Sequence, residues 1–155
     1  MRLALYQPDI PQNTGTLLRL AACLGVAVDV IGPTGFDMTN RALLRAGLDY
    51  LDHVEIVRHV SFAAFRLVQL ARGGRLVLLT TRAATPYLDV TFRAEDTLML
   101  GRESAGVPAT VHATCDLAIR IPMRPPLRSL NVAVAAAMVL GEAIRQTAAG
   151  STFPN

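Results

Sequence analysis

Short apolar bursts alternating with helical patterns constrain this chain more than any other feature. Arg2 to Tyr6 reads as a strand, and a helix follows over Thr14 to Leu24, with Asn13 as its N-cap and Gly25 as its stop. Val26 to Ile31 is a second strand, closed by Gly32-Pro33. Thr39 caps a short helix over 40–46, and Val54 to Val57 is a third strand. Ser61 caps a helix to Ala71 that Gly73-Gly74 ends. Arg75 to Thr80, Thr97 to Leu100 and Leu117 to Ile121 complete the strands, and Ser129 starts a last helix that runs to Thr147. Strands separated by helices predict an α/β fold, a mostly parallel sheet with helices on both faces. No linker or repeat interrupts the pattern, so residues 1–155 read as one domain, with 150–155 a frayed tail.

The last helix sharpens that picture. Val132 to Leu140 is nine apolar residues without interruption. It is apolar all round, the mark of a helix buried on every side. A domain this small has few layers to cover it, so a second copy of the chain is the expected cover, the alternative being a central core helix within one chain. Nine residues fall far short of the ~20 a membrane span needs. The N-terminus also lacks the apolar stretch of a signal peptide. The expected location is therefore the cytoplasm, with no membrane partner.

With 52% apolar and 17% charged residues the chain is not disordered. Its formal charge is +3, and all 15 basic residues are arginine. Cys23 and Cys115 have neither disulfide-framework nor C-x-x-C spacing and read as reduced, packed thiols. His53, His59 and His112 lack metal-ligand spacing, and no metal is expected.

Three segments carry polar groups at strand ends, where ligands gather in open α/β sheets. The first runs from Gln7 to Arg19. Its helix start offers unpaired N–H groups to an anion, and Arg19 lies one turn along the face that holds Gly15 and Thr16. Helix geometry alone favours the plainer reading, with Asn13 a cap and Arg19 a solvated surface charge. The second is Gly101-Arg102-Glu103-Ser104-Ala105-Gly106-Val107-Pro108, neither a Walker loop nor a dinucleotide loop. Read blandly, it is a tight turn with a capping glutamate. The third runs from Ile119 to Asn131, where Pro122, Pro125 and Pro126 stiffen a loop carrying Arg124, Arg128, Ser129 and Asn131.

In this order and spacing the segments resemble the SPOUT superfamily of RNA methyltransferases, nearest to its TrmL group, the tRNA (cytidine/uridine-34)-2′-O-methyltransferases. The resemblance rests on Pro8 to Arg19, Arg45 to Tyr50, Leu79-Thr80-Thr81, Gly101-x-Glu103-x-x-Gly106-x-Pro108, Ile121-Pro122-Met123 and Arg128-Ser129-Leu130-Asn131. It covers nearly the whole chain. It implies a C-terminal trefoil knot, a topology that general rules of chain connection disfavour. It implies S-adenosyl-L-methionine bound by Leu79, Gly101, Glu103, Ile121, Met123, Ser129 and Leu130. Arg19, Asn13, Ser129 and Asn131 become the expected catalytic group, and Arg19, Arg41, Arg45, Arg124 and Arg128 the expected RNA contacts. The implied partners are the anticodon stem-loop of tRNA and a second copy met through the C-terminal helix. The implied reaction is methylation of the ribose 2′-hydroxyl of nucleotide 34. Another tRNA or ribosomal RNA site, or a catalytically silent RNA-binding module, are the alternatives. Gln7 stands where glutamate is common in the group, Val107 where leucine is usual, and Gly141 where tyrosine is typical.

Overall fold

A computed structural model describes residues 1–38 and 48–147. The expected helix over 40–46, Arg41, Arg45 and the tail 150–155 lie outside the described residues. The strands are β1 (Arg2–Tyr6), β2 (Ala27–Ile31), β3 (Ile56–His59), β4 (Leu76–Leu79), β5 (Thr85–Pro86), β6 (Thr97–Leu100) and β7 (Leu117–Arg120). They form one sheet in the order β3-β2-β1-β6-β4-β7-β5, and every pair is parallel. The helices are α1 (Pro11–Leu24), α2 (Phe62–Arg72), α3 (Ala109–Ala113) and α4 (Val132–Thr147).

Side chains alternate across a strand, so each strand feeds both faces. Leu3, Leu5, Val28, Val30, Leu98 and Leu100 point to one face, where α1 and α4 bury Leu17, Leu18, Ala136 and Val139. Ala4, Tyr6, Ile31, Leu76, Leu78 and Met99 point to the other, against Phe65 of α2 and Val111 of α3. Each fully buried large side chain contributes ~1.5–3 kcal/mol. The expected two-sided parallel sheet is the observed one.

Three helix starts show how local chemistry sets boundaries. α1 begins earlier than expected: its N-cap is Ile10, and Pro11 occupies the first helical position. Proline has no N–H to leave unpaired there, and its φ is already helical. Asn13 is therefore inside the first turn and does not cap the helix. Ser61 does cap α2, its hydroxyl accepting from the Ala64 N–H at 3.2 Å. α4 starts three residues later than expected. Asn131 Oδ1 accepts from the N–H groups of Ala133 at 2.8 Å and Val134 at 3.3 Å. This cap leaves Ser129 outside the helix.

α4 also corrects the expectation of burial on every side. Ala133, Ala136, Val139, Leu140 and Ala143 are buried, but Val134 is 51% and Met138 39% exposed. The helix is an outer layer over one sheet face, so its far stripe has no cover among the described residues. β3 lies two residues later than expected, because the pairing that aligns Val28 with Ile56 sets its register. β5 and α3 were not anticipated, being too short to carry a period. Cys23 is exposed, contrary to the packed thiol expected. Cys115 is half-buried, and burial pushes its thiol up to about 11.

Beneath the β1–β2–β3 side sits a buried charge cluster. Asp29 is fully buried and meets Arg2 Nε at 2.8 Å, Arg72 Nη1 at 3.0 Å and His59 Nε2 at 2.7 Å. Burial alone would raise the Asp29 pKa. The hydrogen bonds from Arg2, His59 and Arg72 outweigh it, and the carboxyl sits below the ordinary aspartate value.

Candidate active site

A cavity of about 250 Å³ opens where the carboxyl ends of β4, β6 and β7 converge under the start of α4. That is the crevice position for ligands in open α/β sheets. Leu79 comes from the end of β4, Gly101 and Glu103 from the loop after β6, and Ile121 and Met123 from the loop after β7. Ser129 and Leu130 arrive from the segment before α4. All seven residues expected at the cofactor thus line one cavity.

The loop after β6 has a defined shape. Arg102 and Gly106 form an isolated antiparallel bridge, with N–H to carbonyl distances of 3.0 and 2.7 Å. The bridge brings Gly106 against Gly101, where an added Cβ would lie 2.8 Å from the Gly106 Cα. Only glycine lets this turn close against the strand end.

Two ties join that loop to the one between β1 and α1. Arg102 donates to the Gln7 main-chain oxygen at 3.2 Å and to Gln7 Oε1 at 2.8 Å. Gln7 itself has φ 45, a rare conformation for a residue with a side chain. The glutamine found where glutamate is common is a neutral acceptor, so this tie is a pair of hydrogen bonds and not an ion pair. Beside this tie, the Asp9 N–H donates to Glu103 Oε2 and the Glu103 N–H donates to Asp9 Oδ1, both at 3.2 Å. The Ser104 hydroxyl donates to Asp9 Oδ2.

Glu103 Oε1 is buried without a hydrogen-bond partner among the described residues. Burial, then the neighbouring Asp9, raises the Glu103 pKa. Asp9 moves the other way. Burial opposes the shift, but the contact with Glu103 and the bonds from Ser104 and the backbone outweigh it. A second, more polar cavity of about 230 Å³ shares Glu103 and adds Arg82, Ser104 and His112.

The expected catalytic group divides. Ser129 faces the cavity. Asn131 Nδ2 donates to Asn13 Oδ1 at 3.0 Å, which ties the start of α1 to the cap of α4. Arg19 does not line the cavity. Its guanidinium lies 4.6 Å over the Tyr50 ring, a cation–π contact from the short helical turn Leu48–His53. Arg124 and Arg128 are exposed on the proline loop. Asp9, the Gln7–Arg102 tie and the Arg82–His112 cavity were missed from sequence. The one available signal for Asp9 was an acid held between Pro8 and Pro11 at a helix start. Among the described residues no group of His, Cys, Asp or Glu could hold a metal ion, and no helix is long and apolar enough to cross a membrane.

Residues 1–141 match the model of the SpoU rRNA Methylase family. A tRNA (cytidine(34)-2′-O)-methyltransferase of Beijerinckia indica is 65% identical over 147 residues, covering 95% of this chain and 92% of the relative. One from Escherichia coli (strain K12) is 38% identical, covering 94% and 93%. Among solved structures, one described as "Structural insights into the 2-OH methylation of C/U34 on tRNA" superposes with a TM-score of 0.88 at 46% identity, covering 94% of each chain. The SpoU methyltransferase AviRb from Streptomyces viridochromogenes, in complex with the cofactor AdoMet, gives 0.86 at 28% identity, covering 97% of this chain and 59% of that one.

Proposed function

Because the chain belongs to the SpoU rRNA methylase family, we propose that it moves the methyl group of S-adenosylmethionine to the ribose 2′-hydroxyl of nucleotide 34 of tRNA, a cytidine or modified uridine. The observation that carries this reading is the convergence of seven residues from three strand ends and the α4 approach on one cavity. The names of relatives that match almost end to end support the choice of tRNA and of position 34.

The cavity suits a sulfonium nucleoside. Leu79, Ile121, Met123 and Leu130 offer apolar surface to a base, and Ser129 a hydroxyl. The unpartnered Glu103 Oε1 fits an N–H or O–H donor. Gly101, packed against Gly106, brings main chain to the cavity wall. When bound, the cofactor supplies an activated methyl group, and no metal is needed.

The chain's own residues have to place the ribose in line and stabilise negative charge as the hydroxyl passes its proton to solvent water. Positioning of this kind can be worth ~7–11 kcal/mol. Arg19 is a poor proton acceptor, since a guanidinium stays protonated. Its role is to grip the phosphate beside the target ribose and stabilise developing charge. Tyr50 holds that guanidinium on the α1 surface. The Asn13–Asn131 bond keeps α1 in register with the Ser129 segment. Arg124 and Arg128, with Arg41 and Arg45, add phosphate contacts. A second copy covers the Val134 and Met138 stripe of α4. Gly141 on the same helix has open space beside it, where a partner could approach closely. The trefoil knot around the third segment and action in the cytoplasm belong to the same reading.

The test is methyl transfer from labelled S-adenosylmethionine to total tRNA, with the modified nucleotide mapped. Label in a 2′-O-methyl group at position 34 is expected, and no incorporation into any RNA overturns the reading. Arg19→Ala should cut turnover ~100-fold or more while cofactor affinity stays at the wild-type value.

A further inference from the structure

The clamp between Asp9 and the loop after β6 is not explained by packing alone. Two main-chain N–H groups, 94 residues apart in sequence, each donate to the other residue's carboxyl group. Ser104 adds a third donor, so both Asp9 oxygens are occupied. Glu103 ends with one oxygen tied and the other buried and free. Asp9 is also backed by Gly35. A Cβ on that glycine would lie 2.8 Å from the Asp9 Cβ, and the Gly35 N–H donates to the Pro8 carbonyl at 2.9 Å. The aspartate is therefore confined from the β2 side as well. A residue needed only to close a turn would not require this arrangement. It holds one carboxyl so that a second keeps a single buried oxygen without a partner among the described residues.

We infer that Asp9 is a positioning residue. It fixes Glu103 Oε2 to the β1–α1 loop and so presents Oε1 to the cavity, where Oε1 takes a hydrogen-bond donor of the bound sulfonium nucleoside. This rests on the proposed function for the identity of the ligand, but the clamp itself does not. The other ionisable groups around Glu103 are Arg102 beside it and Arg82 and His112 across the polar cavity. Asp9 is the acid that faces it directly, and an acid disfavours a second negative charge nearby.

Two measurements test this on the full chain with Asp9→Ala and Asp9→Asn. Carboxyl-carbon NMR of the ligand-free protein follows the titration of Glu103, assigned with Glu103→Gln. Its midpoint should fall by about one pH unit in both variants, since each removes the Asp9 charge. Calorimetry with S-adenosylhomocysteine should show ~10-fold weaker binding for Asp9→Ala. Asp9→Asn should recover most of that loss, because its amide oxygen still accepts the Glu103 N–H. A purely structural Asp9 would lower the melting temperature and leave the affinity of both folded variants for S-adenosylhomocysteine at the wild-type value; that result overturns the inference, as does a Glu103 midpoint unmoved in both variants. If wild type fails to bind S-adenosylhomocysteine, the proposed function fails, and the NMR arm still decides the role of Asp9.

Discussion

Asp29 in β2 and Glu103 in the loop after β6 each hold carboxyl oxygen away from water, and their surroundings are opposite. Asp29 meets two guanidinium groups and an imidazole, and both its oxygens are used. Glu103 has a backbone donor on one oxygen, none on the other among the described residues, and a second acid as its neighbour. The first arrangement compensates burial within the fold. The second leaves part of the desolvation cost for a ligand to offset. Perturbed groups with open valences mark sites, while fully paired ones mark architecture.

The largest expected effect lies at Asp29. Asp29→Ala leaves Arg2, Arg72 and His59 without their shared partner and should cost ~3–5 kcal/mol, read from the denaturant midpoint. Cofactor affinity of the remaining folded protein should be unchanged. A loss of affinity without loss of stability would erase the contrast between the two acids.

Glu103→Gln should behave in the reverse sense. Its stability should stay within about 1 kcal/mol of wild type, while affinity for S-adenosylhomocysteine falls ~10-fold. A large drop in melting temperature would place Glu103 with the architectural groups instead.

The smallest effect is in pH dependence, and the two acids give opposite signs. Asp29 has a lowered pKa, so its contribution is fully present above the unfolded value of ~3.9 and lost as pH falls through the folded value. Glu103 has a raised pKa, so the folded state binds its proton more tightly than the unfolded chain does. Stability should therefore decline as pH rises from ~4.3 through the folded value. Melting curves against pH should lose the acid-side slope in Asp29→Asn and the upper slope in Glu103→Gln. Equal slopes in both variants would sink the distinction.

Most of the sheet was legible from sequence, because apolar runs flanked by helix caps and glycines are local signals. Ser61, Gly25 and Gly73-Gly74 acted as read. Asn13 was misplaced as a cap and Ser129 as a helix start because Pro11 and Asn131 compete for those helix starts. Propensity ranks such residues without saying which side chain reaches the N–H. The seven cavity residues followed from a family resemblance and fell together in space. Asp9 escaped notice because its partners are Glu103 and Ser104, far along the chain.

By itself the sequence determined the alternation of strands and helices, the two apolar faces of the sheet, and the kinds of groups that stand at its carboxyl edge. Periodicity and turn chemistry act over a few residues, so one chain reveals them. Only the tertiary structure decided which stripe of α4 stays open, that Arg19 stacks on Tyr50, and that Asp29 is fully paired while Glu103 keeps a free oxygen. Those outcomes depend on which distant groups meet once the sheet orders β6 between β1 and β4. Hydrogen-bond satisfaction belongs to such meetings, and no local pattern records it.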